Sequence, residues 1–197
     1  MQLDNQVIVI TGGTGDIGRA TGVRLAQLGA QVTLVDLISD AEGGGIADQL
    51  GHGIRYMQCD VSARDDVERV LAQFSRLDVV IPNAGIVRAG AFLDLPVQDW
   101  LDTLNVNLTG AFHTAQVAAR KMVTQDPSPA GIRGRILFTG SWVQDMPHPG
   151  TFAYISSKGG LKMLAKVMAQ ELASAGILVN LVAPGAVKAG LTKQLYD

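Results

Sequence analysis

The sequence contains very little cysteine: Cys59 is the only one among 197 residues. A single cysteine forms no internal disulfide and offers no thiolate cluster for zinc. The three histidines are scattered along the chain, so we predict no metal site. A chain without disulfides fits a reducing compartment, and we therefore expect a cytoplasmic protein.

The sequence also lacks a strong excess of positive or negative charge, and it lacks long apolar runs. The net charge is −2, only 17% of the residues are charged, and no run of Lys or Arg occurs, which argues against a nucleic-acid partner. No apolar stretch approaches the length of a membrane span, and the N-terminus lacks a basic segment followed by an apolar one. We therefore expect no membrane partner. The length suits one domain over residues 1–197.

Glycine, in contrast, is abundant, with 23 residues, which is typical of chains with many tight strand-to-helix turns. We predict strands over 7–10, 31–36, 54–59, 77–81, 135–139 and 177–182, and helices over 17–28, 39–50, 64–74, 97–123 and 152–175. Within 39–50, three consecutive glycines each oppose helix formation by up to about 1 kcal/mol. The alternation predicts an α/β fold with a doubly wound parallel sheet of the Rossmann type.

A glycine-rich turn follows the first predicted strand. The segment Gly13-Thr14-Gly15-Asp16-Ile17-Gly18 has the pattern G-x-G-x-x-G, in which glycines let the backbone approach a pyrophosphate at a helix N-terminus. Asp36 follows roughly 20 residues later, where a carboxylate accepts hydrogen bonds from an adenosine ribose. It would repel a 2′-phosphate and Leu37 adds no positive charge, so we expect NAD as the cofactor. The alternative is an ordinary tight turn and a solvated strand end.

Tyr154 and Lys158 lie one turn apart on the last predicted helix, which places a phenol and an ammonium on one face. Lowering the pKa of a tyrosine to about 7 requires roughly 4 kcal/mol of differential stabilisation of the phenolate. A nearby Lys⁺ would supply part of it and a cationic nicotinamide more, so that Tyr154 would act as a general acid or base. The same spacing also arises by chance on amphipathic helices.

Several separated motifs resemble those of the short-chain dehydrogenase/reductase family, in family order. They are Thr11-Gly12 with Gly18, Cys59-Asp60-Val61, Asn83-Ala84-Gly85, Asn105-Val106-Asn107, Ser141, and Tyr154 with Lys158. The resemblance implies that Asp60 and Val61 lie at the adenine ring and that residues 83–85 belong to the cofactor site. Asp16 departs from the pattern, because the shorter branch of the family usually has glycine there. An anionic side chain would weaken pyrophosphate binding unless it points away from the ligand.

The resemblance also implies a catalytic set. Ser141 precedes Tyr154 by 13 residues and would bind the substrate oxygen, while Tyr154 exchanges its proton. Lys158 would hold the nicotinamide ribose and lower the pKa of the tyrosine, and Asn107 would anchor a water that links Lys158 to solvent. The alternatives are a strand-end hydroxyl for Ser141, a helix-kink residue for Asn107 and a solvated cation for Lys158.

The rim of the expected pocket comes from two further segments. Pro184, Gly185 and Val187 resemble the turn under the nicotinamide, and Ala189 stands where the family often has threonine. A mixture of apolar and polar residues between Ser141 and Tyr154 suits a medium-sized alcohol or ketone as substrate. These residues are Trp142, Val143, Gln144, Met146, His148 and Phe152. An exposed loop position is the alternative for His148.

The family continues beyond the point that corresponds to Asp197, through a lid segment, another helix and a last strand. We therefore expect the chain to be a fragment in which strand 177–182 forms a sheet edge. Because the family pairs its long helices, we expect a homodimer or homotetramer through helices 97–123 and 152–175.

Together these patterns predict an oxidoreductase that transfers a hydride between NAD and a secondary alcohol or ketone, with Tyr154 as the general acid or base. Two alternatives stay open. One is a dinucleotide-binding protein without turnover, because Asp16 and Ala189 depart from the family pattern. The other is a scaffold or regulator that has kept the fold.

Overall fold

A computed structural model describes residues 2–186, which contain one six-stranded sheet. The strands are β1 (Val7–Thr11), β2 (Gln31–Asp36), β3 (Arg55–Gln58), β4 (Val79–Ile81), β5 (Gly134–Thr139) and β6 (Ile177–Val182). The helices are α1 (Asp16–Gln27), α2 (Asp40–Leu50), α3 (Arg64–Ala72), α4 (Val97–Leu104), α5 (Ala111–Met122) and α6 (Phe152–Leu172). A π-helical turn covers Asn105–Gly110, and 3₁₀ turns cover Trp142–Asp145 and Ala173–Ala175.

The strands are all parallel and lie in the order β3-β2-β1-β4-β5-β6. The chain builds outward from β1 through β2 to β3 and then returns to the other side of β1. This confirms the predicted doubly wound fold and places a crevice at the carboxyl ends of β1 and β4, where the order reverses. Within residues 2–186, β6 pairs with β5 alone, as expected for an edge strand.

Helices cover both faces of the sheet. Helices α1 and α2 pack against Ile8, Ile10 and Leu34 on one face, and α3, α5 and α6 pack against a second cluster that includes Val9 and Phe138 on the other. Successive strand residues face opposite layers, so a strand buried on both sides is apolar throughout. This is why the first strand reads as a continuous β-branched run.

Helix α2 forms despite its three glycines. Ser39 caps it, because its Oγ accepts the Glu42 N–H at 3.3 Å. Gly43 is buried against the ring of Tyr56, and a Cβ at this position would lie 2.2 Å from a ring carbon. The helix therefore depends on close tertiary packing more than on helix propensity.

The helical region predicted over 97–123 is confirmed, but it is not a regular α-helix, because a π-helical turn lies between α4 and α5. Asn107 lies in this turn and its carboxamide bonds to the backbone of Ile86. Gly110 ends the turn so close to Val61 that a Cβ would lie 2.7 Å from the valine side chain. A π turn holds one extra residue, which a periodicity of 3.6 does not reveal. The helix predicted over 152–175 ends at Leu172 and continues as a 3₁₀ turn.

Candidate active site

A cleft of about 600 Å³ opens at the carboxyl ends of the strands, where the strand order reverses. Its volume is that of a typical small-molecule site. The predicted site residues that line it are Gly12, Gly15, Asp16, Ile17, Gly18, Asp36, Leu37, Asp60, Val61, Asn83, Ala84, Gly85, Ser141, Tyr154, Lys158, Pro184 and Gly185. Thr14 and Asn107 are not among the lining residues. Val187, like Ala189, lies outside the described residues.

The glycine turn has two kinds of glycine. Gly12 has φ +62°, and a Cβ there would lie 2.6 Å from the Cα of Ala84, while a Cβ at Gly18 would lie 2.5 Å from the Gly12 carbonyl oxygen. Both positions therefore require glycine for packing. Gly15 is open, since its Cβ would meet only the Gly12 oxygen at 3.5 Å. It occupies the N-cap of α1 without a side-chain cap, so the helix N-terminus at the cleft fits an anionic pyrophosphate.

Thr11 connects the glycine turn to the loop after β4. Its Oγ1 accepts the N–H groups of Asn83 and Ala84 at 3.1 and 3.2 Å. The Asn83 side-chain amide donates in return to the carbonyls of Thr11 and Gly12, each at 3.1 Å. Asn83 therefore fixes two cleft-forming loops relative to each other, and its carboxamide nitrogen is engaged by protein.

Asp36 organises the far end of the cleft. Its carboxylate accepts hydrogen bonds from the Thr14 backbone N–H at 3.0 Å, the Thr14 hydroxyl at 2.5 Å and the Leu37 N–H at 2.8 Å. The solvated strand end considered above is therefore wrong, because Asp36 is half-buried and bonded to the glycine turn. Leu37 is 62% exposed beside it.

Two other carboxylates border the same end. Asp16 lies in the first turn of α1, where a negative charge interacts favourably with the helix dipole. Asp60 accepts hydrogen bonds from the Ser62 N–H and hydroxyl at 2.8 and 2.7 Å. Val61 is buried next to Asp60 and packs against Gly110.

Tyr154, Ser141 and Lys158 meet at the opposite end of the cleft. All three residues line the cleft, and the Ser141 side chain is near enough to Tyr154 to lower its pKa. The Lys158 ammonium donates to the Thr139 carbonyl at 2.8 Å and lies 5.6 Å from the centroid of the tyrosine ring. Lys158 is only 3% exposed, so the alternative of a solvated helix cation is wrong.

Burial governs both titrations. It raises the pKa of Tyr154, against which the Ser141 side chain acts, and it lowers the pKa of Lys158 to about 8. The net direction for Tyr154 is upward because burial of the phenol is the largest cause. The lowering that we expect from Lys158 together with a bound cationic nicotinamide stays a prediction.

Asn107 connects the helix that carries Tyr154 to the loop after β4 through its side-chain hydrogen bonds. Its Oδ1 accepts the Ile86 N–H at 2.8 Å, and its Nδ2 donates to the Ile86 carbonyl at 2.9 Å and to Ser157 Oγ at 3.1 Å. Ser157 donates in turn to the Tyr154 carbonyl at 2.6 Å. Sequence reasoning missed Ser157, although a hydroxyl three residues after Tyr154 on a helix was a usable signal.

The segment between Ser141 and Tyr154 contributes only part of what we expected. Trp142, Val143 and His148 line the cleft, whereas Phe152 packs against Phe92 and Trp100 with ring centroids 5.0 and 6.0 Å apart. Sequence reasoning did not select several further lining residues, which come from β5, the π-helical turn and the loops. They are Ile86, Val87, Val106, Thr139, Gly140, Thr151 and Ala186.

The comparison with known families agrees with this arrangement. A family model described as short chain dehydrogenase matches residues 6–197. The chain belongs to this family. Its members are oxidoreductases that bind a nicotinamide dinucleotide, which fits the open glycine turn at one end of the cleft and the Tyr154–Ser141 pair at the other.

Relatives within the short-chain dehydrogenase family resemble the chain over its full length. The (21S)-21-acetoxyl-apo-melianone synthase of Melia azedarach is 37% identical, over 100% of this chain and 72% of the relative. The 3-oxoacyl-[acyl-carrier-protein] reductase FabG of Vibrio cholerae is 33% identical, over 100% and 80%. The crystal structure of a short-chain type dehydrogenase/reductase from Mycobacterium marinum is 34% identical and superposes with a TM-score of 0.87, over 100% of this chain and 78% of that one.

In residues 2–186, no helix is long and apolar enough to span a membrane. The same residues contain no group of three or more His, Cys, Asp or Glu side chains placed to hold a metal ion.

Proposed function

We propose that this protein is an NAD-dependent dehydrogenase or ketone reductase that interconverts a secondary alcohol and a ketone, with Tyr154 as the general acid or base. The observation that carries the proposal is that Tyr154, Ser141 and the buried Lys158 line the same cleft as Asp36, with the Lys158 ammonium 5.6 Å from the centroid of the Tyr154 ring. One cleft thus holds a proton-exchanging group and an adenosine-binding carboxylate.

The preference for NAD rests on Asp36 and Leu37. A carboxylate at the end of β2 accepts hydrogen bonds from the two hydroxyls of an adenosine ribose and repels a 2′-phosphate. Leu37 is exposed next to it and brings no cation that would compensate the phosphate charge.

The nicotinamide supplies or accepts the hydride when it is bound. The Tyr154 phenol gives a proton to the substrate oxygen during reduction and takes it back during oxidation. Burial keeps the phenol protonated at neutral pH, which suits proton donation to a ketone. Ser141 donates a hydrogen bond to the same substrate oxygen, and Lys158 places a positive charge near the developing phenolate.

The substrate end of the cleft is mainly apolar, with Ile86, Val87, Trp142 and Val143 along its walls and His148 and Thr151 as polar groups. This lining favours a medium-sized alcohol or ketone with an apolar body. Several relatives are named as reductases. One is the 3-oxoacyl-[acyl-carrier-protein] reductase of Vibrio cholerae, and another is the tropinone reductase-like 1 protein of Erythroxylum coca. These names are consistent with reduction of an oxo group here.

The decisive test is Tyr154→Phe, which removes one hydroxyl and keeps the ring. We expect turnover of secondary alcohols by NAD to fall by about 10²- to 10⁴-fold, while fluorescence titration gives nearly the wild-type affinity for NADH. A variant with full turnover would refute the role of Tyr154. NADH binding by the wild type without oxidation of any alcohol in a broad panel would instead identify a nucleotide-binding protein without turnover.

We also propose that the protein assembles as a homodimer through the helices that follow β4 and Ser141. Apolar side chains stand out from these helices, namely Val97 (73% exposed), Leu101 (43%), Met163 (58%) and Val167 (42%). They occur at i and i+4 on α4 and on α6, which gives each helix an apolar stripe.

A further inference from the structure

The turn that follows β2 is held by side chains of the neighbouring strand β3. The Tyr56 hydroxyl lies 2.9 Å from the Asp36 carbonyl oxygen and 2.6 Å from that of Ile38. The Gln58 side-chain amide donates to the carbonyl between them, that of Leu37, at 3.0 Å. The single O–H of Tyr56 is shared between two carbonyl oxygens, and the Gln58 amide donates to the carbonyl between them.

Backbone groups of the β3 segment hold the same turn. The Gln58 N–H donates to the Asp40 carboxylate at 2.7 Å, and the Cys59 N–H donates to the Asp36 carbonyl at 2.8 Å. Asp36 and Leu37 line the cleft, and the Asp36 carboxylate bonds to Thr14 of the glycine turn. The backbone of residues 36–40 is therefore bound on its β3 side, and its cleft side presents the carboxylate.

Tyr56 is itself rigidly placed. Its ring packs on Gly43 so closely that any Cβ there would overlap ring atoms, which fixes the ring between β3 and α2. Burial raises the pKa of Tyr56, and the charges of Asp36 and Asp40 raise it further. The hydroxyl therefore remains a hydrogen-bond donor at every working pH.

We propose that Tyr56, assisted by Gln58, is a positioning residue that sets the discrimination between NAD and NADP. This inference rests on the proposed function. A carboxylate on a fixed backbone receives the ribose hydroxyls without an ordering cost, and it cannot withdraw from a 2′-phosphate. A carboxylate on a more mobile turn would bind the ribose hydroxyls less tightly and repel a 2′-phosphate less strongly. Neither Tyr56 nor Gln58 lines the cleft, so both act only through residues 36–38.

Tyr56→Phe tests the inference, since it removes the hydroxyl and keeps the ring on Gly43. We expect the Kd for NADH to rise about five-fold, as for one lost hydrogen bond. The ratio of kcat/KM with NAD to kcat/KM with NADP should fall by a similar factor, while kcat at saturating NAD stays at the wild-type value. Gln58→Leu should show the same changes, and it keeps the inference testable if Tyr56→Phe is unstable.

Two controls separate positioning from a general loss of structure. Reduced nicotinamide mononucleotide lacks the adenosine half, so its binding should be the same in Tyr56→Phe and wild type. Gly44→Ala lies in the same helix, and its new Cβ would have no atom from outside that helix within 4 Å, so it should leave the NAD to NADP ratio unchanged. An unchanged ratio in both Tyr56→Phe and Gln58→Leu, or equal weakening of the mononucleotide, would overturn the inference. Failure of the wild type to bind either dinucleotide would overturn the proposed function first.

Discussion

Lys158 is an almost completely buried lysine. Its ammonium has the Thr139 carbonyl as an acceptor and the Tyr154 ring as a neighbour, and burial lowers its pKa from 10.5 to about 8. A positive charge in such a place costs stability, which the site retains because the charge faces the proposed proton-exchanging phenol. The cost has a measurable signature in the pH dependence of unfolding.

We predict that Lys158 makes the free energy of unfolding rise between about pH 8 and pH 10. In this window the unfolded lysine is protonated and the folded one loses its proton, so the unfolded state binds more protons and stability increases with pH. Below about pH 8 both states are protonated and the full penalty is present. The gain from pH 7.5 to 9.5 is on the order of 2 kcal/mol.

Urea denaturation of wild type and Lys158→Met at pH 7.5 and pH 9.5 measures this effect. The comparison cancels Cys59, whose pKa burial raises to about 12, and Tyr154, whose raised pKa lowers stability above its ordinary range. The variant should lack the increase that the wild type shows. Equal changes of stability with pH in both proteins would contradict the buried-ammonium explanation.

Individual positions of the glycine-rich turn show which glycines are required because a side chain would not fit. The pattern that starts at Gly13 includes Gly15, whose Cβ has room, and omits Gly12, whose Cβ would overlap Ala84. The pairing of Thr11-Gly12 with Gly18, which came from the family resemblance, selects two positions that need glycine and omits a third, Gly13, whose Cβ would lie 2.6 Å from the Cβ of Leu34. The spacing of glycines alone could not separate these cases, because the steric limit at Gly12 is imposed by a loop that lies far along the chain, after β4.

Helix α2 shows how tertiary contacts outweigh propensity within one element. Gly43 is needed because the Tyr56 ring occupies the space of its side chain, whereas a methyl group at Gly44 or Gly45 would have no atom from outside the helix within 4 Å. Of the three consecutive glycines, the fold therefore requires only Gly43.

We predict that Gly44→Ala and Gly45→Ala each stabilise the protein by about 0.5–1 kcal/mol, because alanine loses less backbone entropy in a helix. Gly43→Ala should destabilise it, since the new Cβ would displace the Tyr56 ring. Thermal unfolding and urea titration of the three variants provide the comparison. Destabilisation by the two exposed substitutions would mean that this face of α2 has a partner.

The π-helical turn shows where periodicity fails. Residues 97–123 have helical patterning throughout, yet Asn107 bonds across to Ile86 and to Ser157 while Gly110 presses on Val61. Ser157 lies 50 residues away from Asn107 in the chain. A local pattern carries no information on such contacts, so the presence of a helix was predictable and its interruption was not.

At the scale of the molecule, the apolar stripes on α4 and α6 are the surface through which we propose that two copies assemble. These helices pack against each other, so the exposed stripes of Val97 with Leu101 and of Met163 with Val167 lie on adjoining elements. Burial of such side chains contributes roughly 1.5–3 kcal/mol each when it is complete, which favours association of two copies through this face.

We predict that the double variant Leu101→Glu with Val167→Glu is monomeric, because two carboxylates would have to be buried in the interface. Light scattering coupled to gel filtration determines the mass directly. Leu178→Glu serves as the matched control, since this leucine is 42% exposed on β6, outside both helices, and it should keep the wild-type mass. A double variant of wild-type mass would show that the copies associate elsewhere or not at all.

The sequence by itself determined the alternation of strands and helices, the parallel sheet and the motifs whose residues line the cleft. These features depend on local periodicity and on residue types at short spacing. Only the tertiary structure decided the π turn at Asn107, the contact of Ser157 with Tyr154, the turn held by Tyr56, and the direction in which burial moves the pKa of Tyr154 and Lys158. Each of these depends on groups that meet when the sheet forms, and on the water that the packed helices exclude.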